Sequence, residues 1–375
     1  MAQADFTKFH SILEHIPETA AALKASGKKL VGVTPIYAPE EIIYAAGMQP
    51  FGCWGGQVDI AKATAYLPPF ACSIIQAITE LAMNGSYNVL DAILMSVPCD
   101  SLKCTTQNLK SACPQLPQMI CVYPQNNKLE SSVAYAVKQF ERVQRFMEEL
   151  SGNQITEDAL NRAIDVYNEN RQALLDFTDL CAQKPGLVSA QNRHAVIKSR
   201  LYMDKAEHTA LVKELNAALA EAPAPKGPFQ KVVLAGIMAE PNVFLEVFDS
   251  LGFAIVGDEL AQESRQFRTL APAAPTGLER LARQWQNVTG ECLVADPAKT
   301  RTKLIVELAQ KTKADAVVFV QLKFCDPDEF DWPWVKQALD AAGIPSLNVE
   351  IDQQSISAGQ NLTRLQAFQE LLEMM

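Results

Sequence analysis

Two rhythms of hydrophobic and polar positions alternate along this chain. Runs such as KLVGVT (29–34), KVVLAGI (231–237) and the apolar centres of VLDAILMSVPCD (89–100) and KADAVVFVQLKFCD (313–326) carry hydrophobic residues at nearly every position. Between them, EEIIYAAG (40–47) and VFLEVFDSLG (243–252) place apolar residues three or four apart, the period of a helix with one buried face. Strands apolar on both faces and separated by helices predict parallel sheets covered on each side, because every crossover returns over a face of the sheet. The order is also repeated. MQPFGCW (48–54) corresponds to FAIVGDE (253–259), and LPQMICVYPQN (116–126) to IPSLNVEIDQQ (344–354). Landmarks pair as Pro39 with Pro241, Gly47 with Gly252, Asp91 with Asp315 and Pro117 with Pro345, with an offset that grows as insertions in the second copy would make it.

The expected fold is therefore α/β, with two similar parallel-sheet lobes of Rossmann or flavodoxin-like type. The first lobe is expected over 29–135 and the second over 226–375, with an N-terminal helical segment over 1–28. The helical patterns SSVAYAVKQFERVQRFMEEL (131–150) and ITEDALNRAIDVYNENRQALLDFTDL (155–180) predict a helical connector over 136–225, and EAPAPKGP (221–228) leads into the second lobe.

Open parallel sheets bind ligands beyond the carboxyl ends of their strands. In both copies a cysteine stands at that end of the third strand, Cys99 before Asp100 and Cys325 before Asp326. Facing lobes would bring the two thiols into one cleft, a recurrence that core packing does not explain. Cys72 follows Pro68-Pro69 in LPPFACSIIQAITELAM (67–83), so the spacing predicts it in the first turn of a helix, where free N–H groups favour a thiolate. Three cysteines on separate segments suit an iron–sulfur cluster, and no repeated CxxC pair suggests structural zinc. Ordinary buried thiols remain the alternative. Cys104 is a reserve ligand, Cys53, Cys121, Cys181 and Cys292 read as strand or helix core, and Cys113 as structural.

Composition narrows the function further. A formal net charge of −10 and a pI near 5.1 argue against a nucleic-acid surface. Nine cysteines are an odd count for a disulfide framework. No apolar run approaches the roughly 20 residues of a bilayer span, so no membrane is expected. The N-terminal stretch lacks the cationic start and apolar core of a signal peptide, which makes the cytoplasm the expected location. There is no Walker A motif, so any use of ATP should belong to another protein. Arg265 and Arg268 in ESRQFR could hold a CoA phosphate or an interface, or pair with Glu263. Glu40 and Glu41 should begin a helix, Asp100 and Asp326 should cap helices, and Trp332 and Trp334 should pack a lobe or a partner surface. His10, His15, His194 and His208 show no ligand spacing and read as surface or helix-face residues.

Seven stretches carry a resemblance to a known family: PIYAPEEIIYAAGMQPFGCWGGQ (35–57), YLPPFACSIIQ (66–76), SVPCDSLKCTTQNLK (96–110), YPQNNKLE (123–130), ELAQESRQFR (259–268), KFCDPDEFDWP (323–333) and VEIDQQ (349–354). In colinear order over nearly the whole chain, they resemble the β-subunits of the 2-hydroxyacyl-CoA dehydratases. YPQN stands where relatives often have HPQN. The resemblance implies one 4Fe-4S cluster in this chain, in the cleft between the lobes, on Cys72, Cys99 and Cys325, with Cys104 as the substitute for Cys99. It implies a heterodimer with a homologous α-subunit, an ATP-dependent iron–sulfur activator that supplies one electron, and FMN or riboflavin in some complexes. The implied reaction converts an (R)-2-hydroxyacyl-CoA, with lactoyl-CoA the expected substrate, to a 2-enoyl-CoA such as acryloyl-CoA and water. One electron added to the thioester gives a ketyl that expels the 2-hydroxyl and acidifies the C3 proton. A non-catalytic low-potential electron carrier and a subunit of an ATP-driven benzoyl-CoA-type reductase are the alternatives.

Overall fold

The computed structural model describes residues 4–375, so the first three residues of the expected N-terminal segment lie outside the described residues. Helices α1 (Thr7–Glu14) and α2 (Ile16–Ala25) precede the first sheet, made of β1 (Leu30–Val33), β2 (Gln49–Gly52), β3 (Ala92–Ser96) and β4 (Gln118–Cys121). Its crossovers carry α3 (Glu40–Ala45), α4 (Ser73–Met83) and α5 (Asp100–Ala112). Four helices follow: α6 (Glu130–Ser151), α7 (Glu157–Gln183), α8 (Ala190–Ser199) and α9 (Lys205–Glu221). The second sheet holds β5 (Gln230–Gly236), β6 (Phe253–Leu260), β7 (Ala316–Leu322) and β8 (Ser346–Ile351). Its helices are α10 (Asn242–Ser250), α11 (Gly277–Asn287), α12 (Thr300–Thr312), α13 (Asp326–Ala341) and α14 (Gly359–Met374).

Both sheets are wholly parallel and have the same order, β2-β1-β3-β4 and β6-β5-β7-β8. The repeat extends to single hydrogen bonds. The Leu30 N–H donates to Asp91 Oδ2 at 2.7 Å and the Lys231 N–H to Asp315 Oδ2 at 2.7 Å. Ile93 N–H donates to the Pro117 carbonyl and Val317 N–H to the Pro345 carbonyl, each at 2.9 Å. Most of the growing offset arises between the second and third strands, where the first copy has α4 and the second has both α11 and α12.

Packing ties the lobes together more closely than two beads on a connector. Helix α6 buries Val133, Ala136, Phe140, Val143 and Met147 in one cluster with Val31, Val33, Leu94 and Met119 of the first sheet. Leu281 and Trp285 of α11, from the second half, join that cluster. A second cluster runs from Ile74, Ile78 and Ile93 through Leu201 to Val232, Phe244 and Val318. Past β8, Gln353 donates from its side chain to the Trp54 carbonyl at 2.9 Å and from its backbone to Ser73 Oγ at 3.1 Å. This contact requires Gly55: at φ +77°, a Cβ there would stand 2.5 Å from Gln353 Oε1.

Candidate functional site

Each of the three cysteines singled out in the sequence occupies the N-cap of a helix. Cys72 precedes α4, Cys99 precedes α5 and Cys325 precedes α13. Cys72 thus sits one position before the first turn expected for it, with φ −63° and ψ 152°. The cap of α5 is a thiol, not Asp100: Cys99 Sγ accepts from the Leu102 N–H at 3.5 Å. Asp100 and Asp326 occupy the first turns instead, where their charges favour the positive helix ends. Before Cys325 the chain turns through Phe324 at φ 63°, a left-handed conformation unusual for a bulky residue and one that surrounding structure must hold.

The thiols lie near one another. Cys72 and Cys99 pack against Ile75, Val97 and Leu102, while Cys72 and Cys325 both border the main core. Burial pushes the Cys72 thiol up to about 11, with a further rise from Cys99. Burial likewise raises Cys99, and it raises Cys325 well above the usual range with contributions from Asp328, Cys292 and Cys72. Cys104 lies a turn along α5 on its exposed side. Among the described residues, no three His, Cys, Asp or Glu side chains close on one point as a single ion requires. A four-iron cube takes its thiolates at separate corners, and its charge would hold them deprotonated despite burial, so three cysteines at separate helix N-caps are a donor set that could hold one.

A buried ionic network lies behind Cys325. Arg265 has no exposed side-chain surface; its Nε donates to Glu259 Oε1 at 2.5 Å and its Nη1 to Glu291 Oε1 at 2.9 Å. Arg301 joins Glu259 at 2.9 Å and Asp328 at 2.8 Å. Arg268 fixes the adjacent loop by donating to the carbonyls of Thr289 at 2.6 Å and Gly290 at 3.1 Å. Cys292 lies in this loop, 3.5 Å from Arg265 Nη1. It belongs to a turn beside the site, which corrects its assignment to a strand or helix core; the sequence signal was the charged Glu291 before it.

The chain matches the family model described as 2-hydroxyglutaryl-CoA dehydratase, D-component, over residues 35–372. The chain belongs to this family. It is 41% identical to the lactoyl-CoA dehydratase subunit beta of Anaerotignum propionicum, over 98% of this chain and 100% of that protein. It is 40% identical to the (R)-phenyllactyl-CoA dehydratase beta subunit of Clostridium sporogenes, over 96% and 94%. Against the (R)-2-hydroxyglutaryl-CoA dehydratase subunit beta of Acidaminococcus fermentans it is 36% identical, over 95% and 96%. The relatives are named as dehydratases, hydro-lyases of 2-hydroxyacyl-CoA, and the fold expected from the sequence is the one observed.

Other residues of this dehydratase-family chain depart from expectation. His194 and His208 are interior, not surface. His194 Nδ1 lies 3.1 Å from Glu263 Oε1 and its Nε2 3.3 Å from Glu240 Oε1. Glu263 pairs with His194 and Arg193, not with Arg265. Glu40 and Glu41 do begin α3, but they also face Lys205 and Arg171. Trp332 stacks at a tilt on Phe319, whereas Trp334 is exposed with Phe330 on α13. No described helix is long and apolar enough to cross a membrane.

Proposed function

We propose that this chain is the β-subunit of a 2-hydroxyacyl-CoA dehydratase that removes water from (R)-lactoyl-CoA to give acryloyl-CoA, in the cytoplasm. The observation that carries the cofactor reading is the recurrence of a cysteine N-cap at the exit of the third strand in both lobes, with Cys72 beside them. In this reading Cys72, Cys99 and Cys325 hold one 4Fe-4S cluster, which when bound supplies low-potential one-electron chemistry. The chain's own part is electrostatic and steric. The three helix ends direct N–H groups and positive dipole ends at the site and offset the negative charge of the thiolates. The apolar cluster of Ile75, Val97 and Leu102 backs Cys72 and Cys99.

Exposed Phe70, Phe324, Phe330 and Trp334 lie close in sequence to Cys72 and Cys325. An apolar rim of this kind suits cover by a homologous α-subunit, which would complete the substrate cleft. An ATP-dependent iron–sulfur activator would deliver the electron. The test is iron and acid-labile sulfide on the complex co-expressed with the α-subunit and purified without oxygen. About four irons and four sulfides for this chain are expected, lost in Cys72→Ser, Cys99→Ser and Cys325→Ser and kept in Cys181→Ser. Equal iron in all four variants would remove the ligand assignment. Activator-dependent release of water from lactoyl-CoA distinguishes the dehydratase from an electron carrier or an aromatic-thioester reductase.

A further inference from the structure

A separate cavity of about 70 Å³ lies where the first lobe, α7, α9 and the segment after β6 meet. Its walls hold a dense set of charges, and their pairing can be counted. Arg171 is ion-paired with Glu41, and Lys205 Nζ lies 3.2 Å from Glu40 Oε2. Lys205 also donates to the Arg200 carbonyl at 2.8 Å, and Tyr167 Oη donates to Glu40 Oε2 at 3.1 Å. These contacts leave one guanidinium over. Arg200, at the C-cap of α8, is 6% exposed, and its Nε and Nη2 are buried with no acceptor among the described residues. Burial, opposed by Glu40 and reinforced by Arg171, lowers its pKa.

Buried guanidinium donors without hydrogen bonds are costly, because each forfeits its hydration, and Glu40, whose charge acts on Arg200, is already engaged by Lys205 and Tyr167. Protein charge near this guanidinium is already matched in pairs. Glu40 and Glu41 line the cavity but are engaged by Lys205 and Arg171, so among the described residues no carboxylate meets the fork of Arg200 at Nε and Nη2. Half-buried Gln266, Thr269 and Gln284 also line the cavity, so it is not sealed by apolar side chains alone.

The geometry points to an anion site in which Arg200 binds a compact oxoanion, a free carboxylate or inorganic phosphate, with Lys205 and Arg171 alongside. The cavity volume suits a whole small anion, not the terminal group of a large ligand threaded through it. This site is distinct from the cysteines and does not depend on the reading of their function.

The test is calorimetric titration of the α-partner complex with sodium acetate, sodium phosphate and CoA at constant ionic strength, with sodium chloride as the reference. Acetate or phosphate should bind one site, and Arg200→Gln should weaken that binding at least tenfold. Arg200→Lys, which keeps the charge but not the fork, should fall between. Should Arg200→Gln fail to fold, the wild-type melting temperature still reads the site, since it should rise with acetate or phosphate and not with chloride. Absence of both responses would mean that water alone fills the cavity and would overturn the proposal. Binding unchanged in Arg200→Gln, or Arg200-dependent binding of CoA alone, would overturn it too.

Discussion

His208 shows how far one side chain's surroundings can reverse its usual behaviour. Its Nε2–H donates to the Val196 carbonyl and its Nδ1 faces Asn170 Nδ2, both at 2.9 Å, so both ring nitrogens are occupied by the neutral form. Burial, with Lys205 and Arg200 nearby, lowers its pKa from 6.5 to about 3. A depressed folded pKa means that the unfolded chain takes up the proton first. The stability from neutral His208 is therefore complete above pH 6.5 and is lost as pH falls toward 3, by about 1.4 kcal/mol per unit within that window. His208→Gln should lower stability at pH 8 by about 1–3 kcal/mol. In urea denaturation its deficit against wild type should shrink at pH 5; a deficit equal at both pH values would refute this assignment. His194 works in the opposite direction: burial alone would lower it, but Glu240 and Glu263 hold it above 6.5, so its contribution is lost as pH rises.

At the scale of elements, the two sheets begin with the same device. An aspartate just before the third strand accepts an N–H from the start of the neighbouring strand, that of Leu30 in β1 for Asp91 and that of Lys231, the second residue of β5, for Asp315. The two differ in exposure. Asp91 also holds Lys24 Nζ at 2.8 Å and is 23% exposed, against 42% for Asp315. Asp91→Ala should therefore cost about 1–3 kcal/mol, and Asp315→Ala less, since water can replace the more exposed acceptor. Urea midpoints of the two variants give the order directly. The N-cap cysteines belong to this scale as well. At Cys99 and Cys325 the chain passes from a strand into a helix, and the cap position that begins the helix also puts a thiol at the carboxyl edge of a sheet.

For the whole molecule, one buried amide adds a polar tie to the apolar clusters that the lobes share. Gln353, 1% exposed, donates to the Trp54 carbonyl at 2.9 Å and to Glu240 Oε2 at 3.0 Å, so it joins residues from both halves of the chain. Gln353→Ala would leave both acceptors buried without that donor. It should destabilise the protein by about 1–3 kcal/mol and separate the unfolding of the halves, seen as two transitions by hydrogen exchange. A single undisturbed transition would show that the apolar cluster shared by the lobes holds them without Gln353.

The repeat of strands, helices, Pro and Asp landmarks, and the cysteines at matching strand ends, was legible in the sequence because each is local. Apolar runs fix strands, a Pro or Gly fixes where they turn, and a repeated order fixes two alike sheets. The position of Cys72 was legible only to within one residue, since a double proline marks the approach to a helix and not its first turn. What only the tertiary structure decided are relations across long separations in the chain. Arg265 meets Glu291 instead of the nearby Glu263, His194 and His208 turn inward, and Cys292 arrives beside Cys325. Arg200 Nε and Nη2 are left without an acceptor among the described residues for the same reason. Which charges are buried, and which find partners, depends on the assembled lobes, and no local pattern of hydrophobic positions encodes it.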